Sequence, residues 1–182
     1  MLVDDEGVCP SEADNAVLAE ALRYESRGYS VVFGAQGTKY PRGRWGRAQA
    51  QRATASELRK SFRAGDVVCI VTGQVSGLAV LDCDSPESVE FWRRQLGAVI
   101  DETASVKTSR GRHLYFRLHE PLRSAAGSGW DLRADGGFVV APPSIHPSGR
   151  RYQWTKDLDR MRDLPPELRM EGSGQMLLTP ST

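Results

Sequence analysis

Apolar positions along this chain come in short runs, and the spacing between them changes character near residue 66. Before that point the pattern is mainly helical. Ser11 with Asp14 makes a capping box that opens a helix to about Arg27. Its apolar residues Ala16, Val17, Ala19, Ala21 and Leu22 partly follow a helical stripe, and Gly28 closes it. Residues 29–33 read as a strand, and residues 34–48, rich in Gly, Lys and Arg with Pro41, as a loop. Thr54 with Glu57 opens a second capped helix that Gly65 ends.

After residue 66 strands dominate. Residues 67–72 and 78–82 are apolar runs around a turn at 73–77. Ser85, Pro86 and Glu87 supply a cap, a first-position proline and a first-turn acid for a helix to about Leu96, with Gly97 after it. Residues 104–108 and 113–118 form a strand pair around Arg110-Gly111. Residues 130–132 and 137–141 are shorter strands joined by an Ala134-Asp135-Gly136-Gly137 turn, and residues 151–154 are a last strand. The pattern predicts an α/β (α+β) fold on a largely antiparallel sheet. Residues 1–10 are expected as a flexible arm and 11–156 as the domain. Residues 157–182, charged and then carrying Pro165-Pro166 and Gly172-Ser173-Gly174, are expected as a tail or the start of a linker.

Composition narrows the function. With 182 residues and 40% apolar content, the chain supports one domain with its own core. The net charge of +1 excludes a globally basic nucleic-acid binder, so any polyanion must be met by local clusters. Such clusters are Arg42, Arg44 and Arg47, then Arg110 and Arg112, then Arg150 and Arg151. Cys9, Cys69 and Cys83 have no metal-ligand spacing, so no zinc is expected, and they read as free thiols of a reducing compartment. No apolar run is long enough to cross a membrane and the N-terminus has no signal core, so a cytoplasmic protein is expected.

Four segments carry chemistry. Asp82-Cys83-Asp84 ends an apolar strand, where residues two apart leave the sheet on one face. Two carboxylates so close raise each other's pKa unless a cation neutralises them, and a hard divalent metal is the natural partner. The run Lys107-Thr108-Ser109-Arg110-Gly111-Arg112-His113 has hydroxyls, backbone N–H groups and guanidinium groups suited to a triphosphate; it also reads as an ordinary hairpin turn. Asp131 either completes a metal site or pairs locally with Arg133, and Asp135 makes a turn. The loop from Gly37 to Arg47 sets Lys39, Arg42, Arg44 and Arg47 around Tyr40 and Trp45, either to grip phosphates and stack bases or as solvated surface.

Taken together and in order, these segments resemble the N-terminal domain of bifunctional DNA primase/polymerases, the prim-pol branch of the archaeo-eukaryotic primases. The resemblance runs over roughly residues 16–154. Lys39-x-Pro41 with Trp45, Val71-Thr72-Gly73 and Asp82-x-Asp84 carry its first half. Thr108 to Phe116, Asp131 to Ser144 and Gly149-x-x-Tyr152-x-Trp154 carry its second. It implies an RRM-like sheet core beside a small N-terminal α/β subdomain. It makes Asp82, Asp84 and Asp131 the catalytic ligands of two Mg2+ or Mn2+ ions. His113, Arg110, Thr108, Ser109, Lys39, Arg112 and Arg133 then hold the nucleotide, and Arg42, Arg44, Trp45 and Arg47 hold DNA. The implied activity is template-directed nucleotidyl transfer from nucleoside triphosphates on single-stranded DNA, in replication of a phage, plasmid or similar replicon, with a helicase domain or protein as a partner. One departure is Gly111, where many relatives carry serine. The alternatives are a metal-dependent D-x-D nucleotide-sugar transferase, which needs no third acid, and a non-catalytic template-binding module.

Overall fold

The computed structural model describes residues 11–35 and 37–169; Cys9, the expected arm and the glycine-serine end of the expected tail lie outside them. Two largely antiparallel sheets organise these residues. Helix α1 (Glu12–Ser26) opens with the Ser11–Asp14 capping box, and α2 (Ala55–Ser61) with the Thr54–Glu57 box. On α1 the buried positions are Val17, Leu18, Ala21 and Tyr24, one helical face. The apolar stripe is shifted from the expected one, since Ala16 and Ala19 are exposed. Helix α2 stops before the expected Gly65. Phe62 leaves the helix with extended backbone and packs edge-on against Phe33, with ring centroids 5.3 Å apart.

These helices cover a three-stranded sheet in the order β1 (Ser30–Gly34), β2 (Val67–Val71), β8 (Phe138–Val140). The second sheet has seven strands, and its central path runs β7 (Trp130–Arg133), β3 (Leu78–Cys83), β5 (Arg112–Arg117), β4 (Ser105–Lys107). Counted along the chain from β3, that is the order 4-1-3-2 of an RRM-like sheet, with α3 (Pro86–Leu96) and the short α4 (Val99–Glu102) between its first two strands. Strands β6 (Ala125–Gly127) and β9 (Gln153–Lys156) extend its edges.

One sheet face, with Leu78, Val80, Val106 and Tyr115, joins the core shared with α1 and the smaller sheet. The other, with Ala79, Leu81, Leu114, Phe116 and Leu132, packs on Trp92 of α3 and Ile100 of α4. Period-two alternation divides the two cores.

Three features depart from the sequence pattern. The strands at 130–132 and 137–141 are not partners: β7 pairs with β3, and β8 crosses to pair with β2. The Ala134–Gly137 segment is therefore a bridge between sheets, clasped by the Thr72 hydroxyl donating to the Ala134 carbonyl at 2.7 Å. Strand β6 lacks bulky apolar residues and forms under the indole of Trp130, which lies where a Cβ on Gly127 would point. The chain also stays packed beyond residue 156. β10 (Arg162–Asp163) runs parallel beside β5, Leu158 and Met161 join the first core, and Leu164 and Leu168 join the second. Leucine and methionine spaced among charges suffice to anchor a segment that composition alone marks as tail.

Cys69 and Cys83 are buried and free, and burial first of all pushes both thiols up to about 12. Both should therefore resist a thiol reagent at pH 8 in the folded protein and react on unfolding, which timed labelling read by mass spectrometry checks.

Candidate active site

Sheet register builds the site. Asp82 on β3 stands opposite His113 on β5 and opposite Asp131 on β7. Directly opposed residues of antiparallel strands share a face. Asp131, Asp82 and His113 thus form one row across three strands. Asp84, two residues past Asp82, follows the strand end, its N–H donating to the Gly129 carbonyl at 2.9 Å. The row lies near the C-terminal end of β3.

A cleft of about 210 Å3 opens there, lined by Asp82, Asp84 and His113. Lys39 and Tyr40 come to it from the first loop, Thr108, Ser109 and Arg110 from the β4–β5 turn, and Arg133 from β7. The loop is turned back by a bridge between Gly34 and Pro41, and the Arg42 N–H donates to the Phe33 carbonyl at 2.8 Å. Gly34 is required there, because a Cβ would press on the Tyr40 carbonyl oxygen. The Thr108 hydroxyl oxygen accepts from the Gly111 N–H at 3.0 Å and so braces its turn, leaving Ser109 and Arg110 at the tip. A Cβ on Gly111 would collide with the carbonyl oxygen of Cys83. Close approach of the turn to the end of β3 is the physical reason for glycine at this position.

Charges in the row are compensated by side chains. His113 Nε2 lies 3.3 Å from Asp82 Oδ1, and Arg133 donates to Asp131 at 2.5 Å. Burial alone would raise the Asp82 pKa, but His113, with Arg133 and Lys39, more than offsets it and holds the carboxyl below the usual range. Asp84 is exposed and its carboxylate has no partner among the described residues. Asp131 faces Asp82 across the strands and takes the local pair with Arg133 that the sequence allowed, and it is not among the residues that line the cleft. Asp135 is a clasp, accepting from the Gln74 and Leu122 N–H groups at 2.8 and 2.9 Å.

Not every expected residue reaches the cleft. Arg112 lies on the opposite face of β5, where it meets Asp101 at 3.3 Å. Arg42 is paired with Asp66 and donates to the Ser61 carbonyl, and Arg47 contacts Gln51 at 3.1 Å and Glu57 at 3.7 Å. Trp45 packs edge-on against Phe138, with centroids 5.2 Å apart. With Arg44, these residues line a separate hollow of about 340 Å3 beside β1 and α2.

Two cleft residues went unassigned in the sequence, His146 and Tyr152. The Tyr152 ring stands between His113 and His146, at 5.7 and 6.0 Å from them. His146 Nδ1 accepts from the Ser148 N–H at 3.0 Å, which leaves the proton of the neutral ring on Nε2. Burial, with Lys39 and Arg110 nearby, lowers the pKa of His146. The signal for it was the His146-Pro147-Ser148-Gly149 turn inside the bridge between Ile145 and Arg151.

Among the described residues no three His, Cys, Asp or Glu side chains converge as placed on a point that would hold a metal. The donor chemistry nevertheless suits a hard divalent ion. Asp82, Asp84 and Asp131 offer carboxylate oxygens from adjacent strands; Asp82 stands beside His113, Asp131 is paired with Arg133, and Asp84 is unpaired among the described residues.

A family model described as bifunctional DNA primase/polymerase, N-terminal, matches residues 21–167. The chain belongs to that family. The prim-pol match covers both sheets, including the segment beyond residue 156 that packs into the cores. Comparison with curated proteins finds no match. No helix of the described prim-pol residues is long and apolar enough to cross a membrane.

Proposed function

We propose that this prim-pol domain copies single-stranded DNA by nucleotidyl transfer from nucleoside triphosphates, with Mg2+ or Mn2+ held by Asp82, Asp84 and Asp131. The observation that carries the reading is the register-aligned row Asp131–Asp82–His113 beside a cleft lined by Lys39, Arg110 and Arg133. A cleft lined by both carboxylates and cations suits a metal–triphosphate, in which the acids meet the metal and the cations meet the phosphate oxygens.

The bound metals would favour ionisation of the attacking 3′-hydroxyl and neutralise charge on the leaving pyrophosphate. The 3′-oxygen forms its bond to the α-phosphorus as the bond to the pyrophosphate oxygen breaks. Few covalent tasks fall to the side chains, so positioning is their contribution. Lys39, Arg110 and the Ser109 hydroxyl bind the phosphates. His113 Nε2 is held in place by burial between strands and by Asp82. Tyr40, 73% exposed and braced edge-on by Phe138, offers an aromatic face at the cleft for stacking a base.

The test is incubation of the full chain with unprimed single-stranded DNA, labelled nucleotides and Mg2+ or Mn2+. Template-dependent products that vanish on chelation are expected. Failure to form product with either metal, on unprimed and primed templates alike, would overturn the reading.

A further inference from the structure

The cleft continues into a second groove of about 490 Å3 on the far side of the β4–β5 turn. Asp84, Thr108, Ser109 and Arg110 line both hollows. The second adds Lys107, at the end of β4, and Arg150, from the loop that carries His146. We propose that Lys107 and Arg150 bind backbone phosphates of the DNA strand as it passes from the acidic row, an inference that rests on the function proposed above.

Charge accounting favours this groove over the arginine loop. Lys107, Arg110 and Arg150 are exposed and make no ion pair among the described residues. Asp84 is the single acid lining the groove. In the hollow beside β1, by contrast, Arg42 and Arg47 already have Asp66 and Glu57. A polyanion would have to displace carboxylates to reach those arginines, which leaves Arg44 and Arg52 as the cations of that hollow with no acid partner among the described residues. In a protein of net charge +1, unneutralised cations are where phosphates and released counterions contribute most.

Arg150 is also held ready. Its Nη1 donates to the Ser109 carbonyl at 2.8 Å, and its own carbonyl accepts from the His146 N–H at 2.7 Å. One guanidinium N–H is thereby used and the others remain for phosphate oxygens. The groove has no aromatic lining, so it suits a sugar–phosphate backbone read without regard to sequence. Its shared edge with the cleft gives a strand one uninterrupted course past Asp84, whereas a single nucleotide fills the cleft alone.

The experiment compares the full chain with Lys107→Gln, Arg150→Gln and the double variant. Fluorescence anisotropy is read with labelled oligothymidylate at several salt concentrations, and separately with a labelled nucleoside triphosphate. Lys107→Gln alters an exposed side chain with no polar partner among the described residues and guards against misfolding of the Arg150 variants. The double variant is expected to bind oligonucleotide at least about tenfold more weakly at low salt, with the slope of log affinity against log salt reduced by about 1.4, two single-strand contacts. Nucleotide affinity is expected to stay within about twofold of the wild type, because neither Lys107 nor Arg150 lines the cleft. Unchanged oligonucleotide affinity and slope in a protein that still extends templates would overturn the groove alone. An equal loss of nucleotide affinity would also overturn it, by making the groove a triphosphate subsite. A wild-type chain that neither binds nor extends DNA would overturn the function on which the groove rests, and the groove with it.

Discussion

Asp82→Asn should reduce template-directed nucleotide incorporation by about 10³-fold, the scale lost when one preorganised electrostatic group is removed from a reaction centre. Asparagine keeps the size of the side chain and an oxygen that can accept from His113 Nε2, so the row from Asp131 to His113 keeps its shape. What goes is the charge that would hold a metal. The sequence alone suggests that removing one of several crowded acids relieves repulsion and leaves stability equal or higher. The structure reverses the sign for Asp82. Its pKa is held below the usual range despite burial, chiefly through His113. A depressed folded-state pKa means that the ionised form stabilises the fold at neutral pH, fully so above the unfolded-state pKa. That contribution is lost as pH falls through the folded-state value. The asparagine variant should therefore melt slightly below wild type at pH 7, with the gap closing toward acid pH. Extension assays and melting curves across pH read both effects; near-normal extension would remove Asp82 from the site.

Gly111→Ser, which restores the residue the family resemblance leads one to expect, should harm this protein. Its Cβ would enter the space of the Cys83 carbonyl oxygen, and backbone on both sides has little room to yield. Cys83 is paired with Arg112 on one side and Trp130 on the other, and the turn is braced by Thr108. Overpacking of this kind costs about 3 kcal/mol, the upper end of the usual range, because the clash is with backbone. For a domain of this size that lowers the melting temperature by about 6–12 °C. Incorporation should fall as well, measured well below the melting point, because the same displacement moves Ser109 and Arg110 relative to Asp82 and Asp84. A serine variant with unchanged melting and activity would show that the turn can move away from β3 at no cost.

Much of this architecture was legible in the sequence because its signals are local. The capping residues Ser11, Thr54 and Ser85 start helices where expected, since a cap acts on N–H groups within three residues of itself. The apolar runs at 67–72 and 78–82 are strands, and the Asp82-x-Asp84 spacing puts two acids beyond one strand face whatever surrounds them. The antiparallel, mixed α/β class follows from these elements, and the assembled motifs point to the prim-pol family that the chain belongs to.

Other features depended on which elements meet, and only the tertiary structure decided them. Strand β8 left its sequence neighbour β7 for β2, because pairing is chosen by long-range packing as well as by the nearest turn. Leu158, Met161, Leu164 and Leu168 drew an apparent tail into both cores, since a few buried side chains can anchor charged sequence. The basic loop was divided: Lys39 and Tyr40 face the cleft, while Arg42 and Arg47 are neutralised by Asp66 and Glu57. Arg112 and His113 are adjacent in sequence yet stand on opposite faces of one strand, each with a different acid. Sequence determines which charges exist and how they alternate. Their use is decided by which opposite charge, often far away in the chain, the fold brings within about 4 Å, because a partner at that distance changes a group's ionisation far more than its neighbours in sequence do.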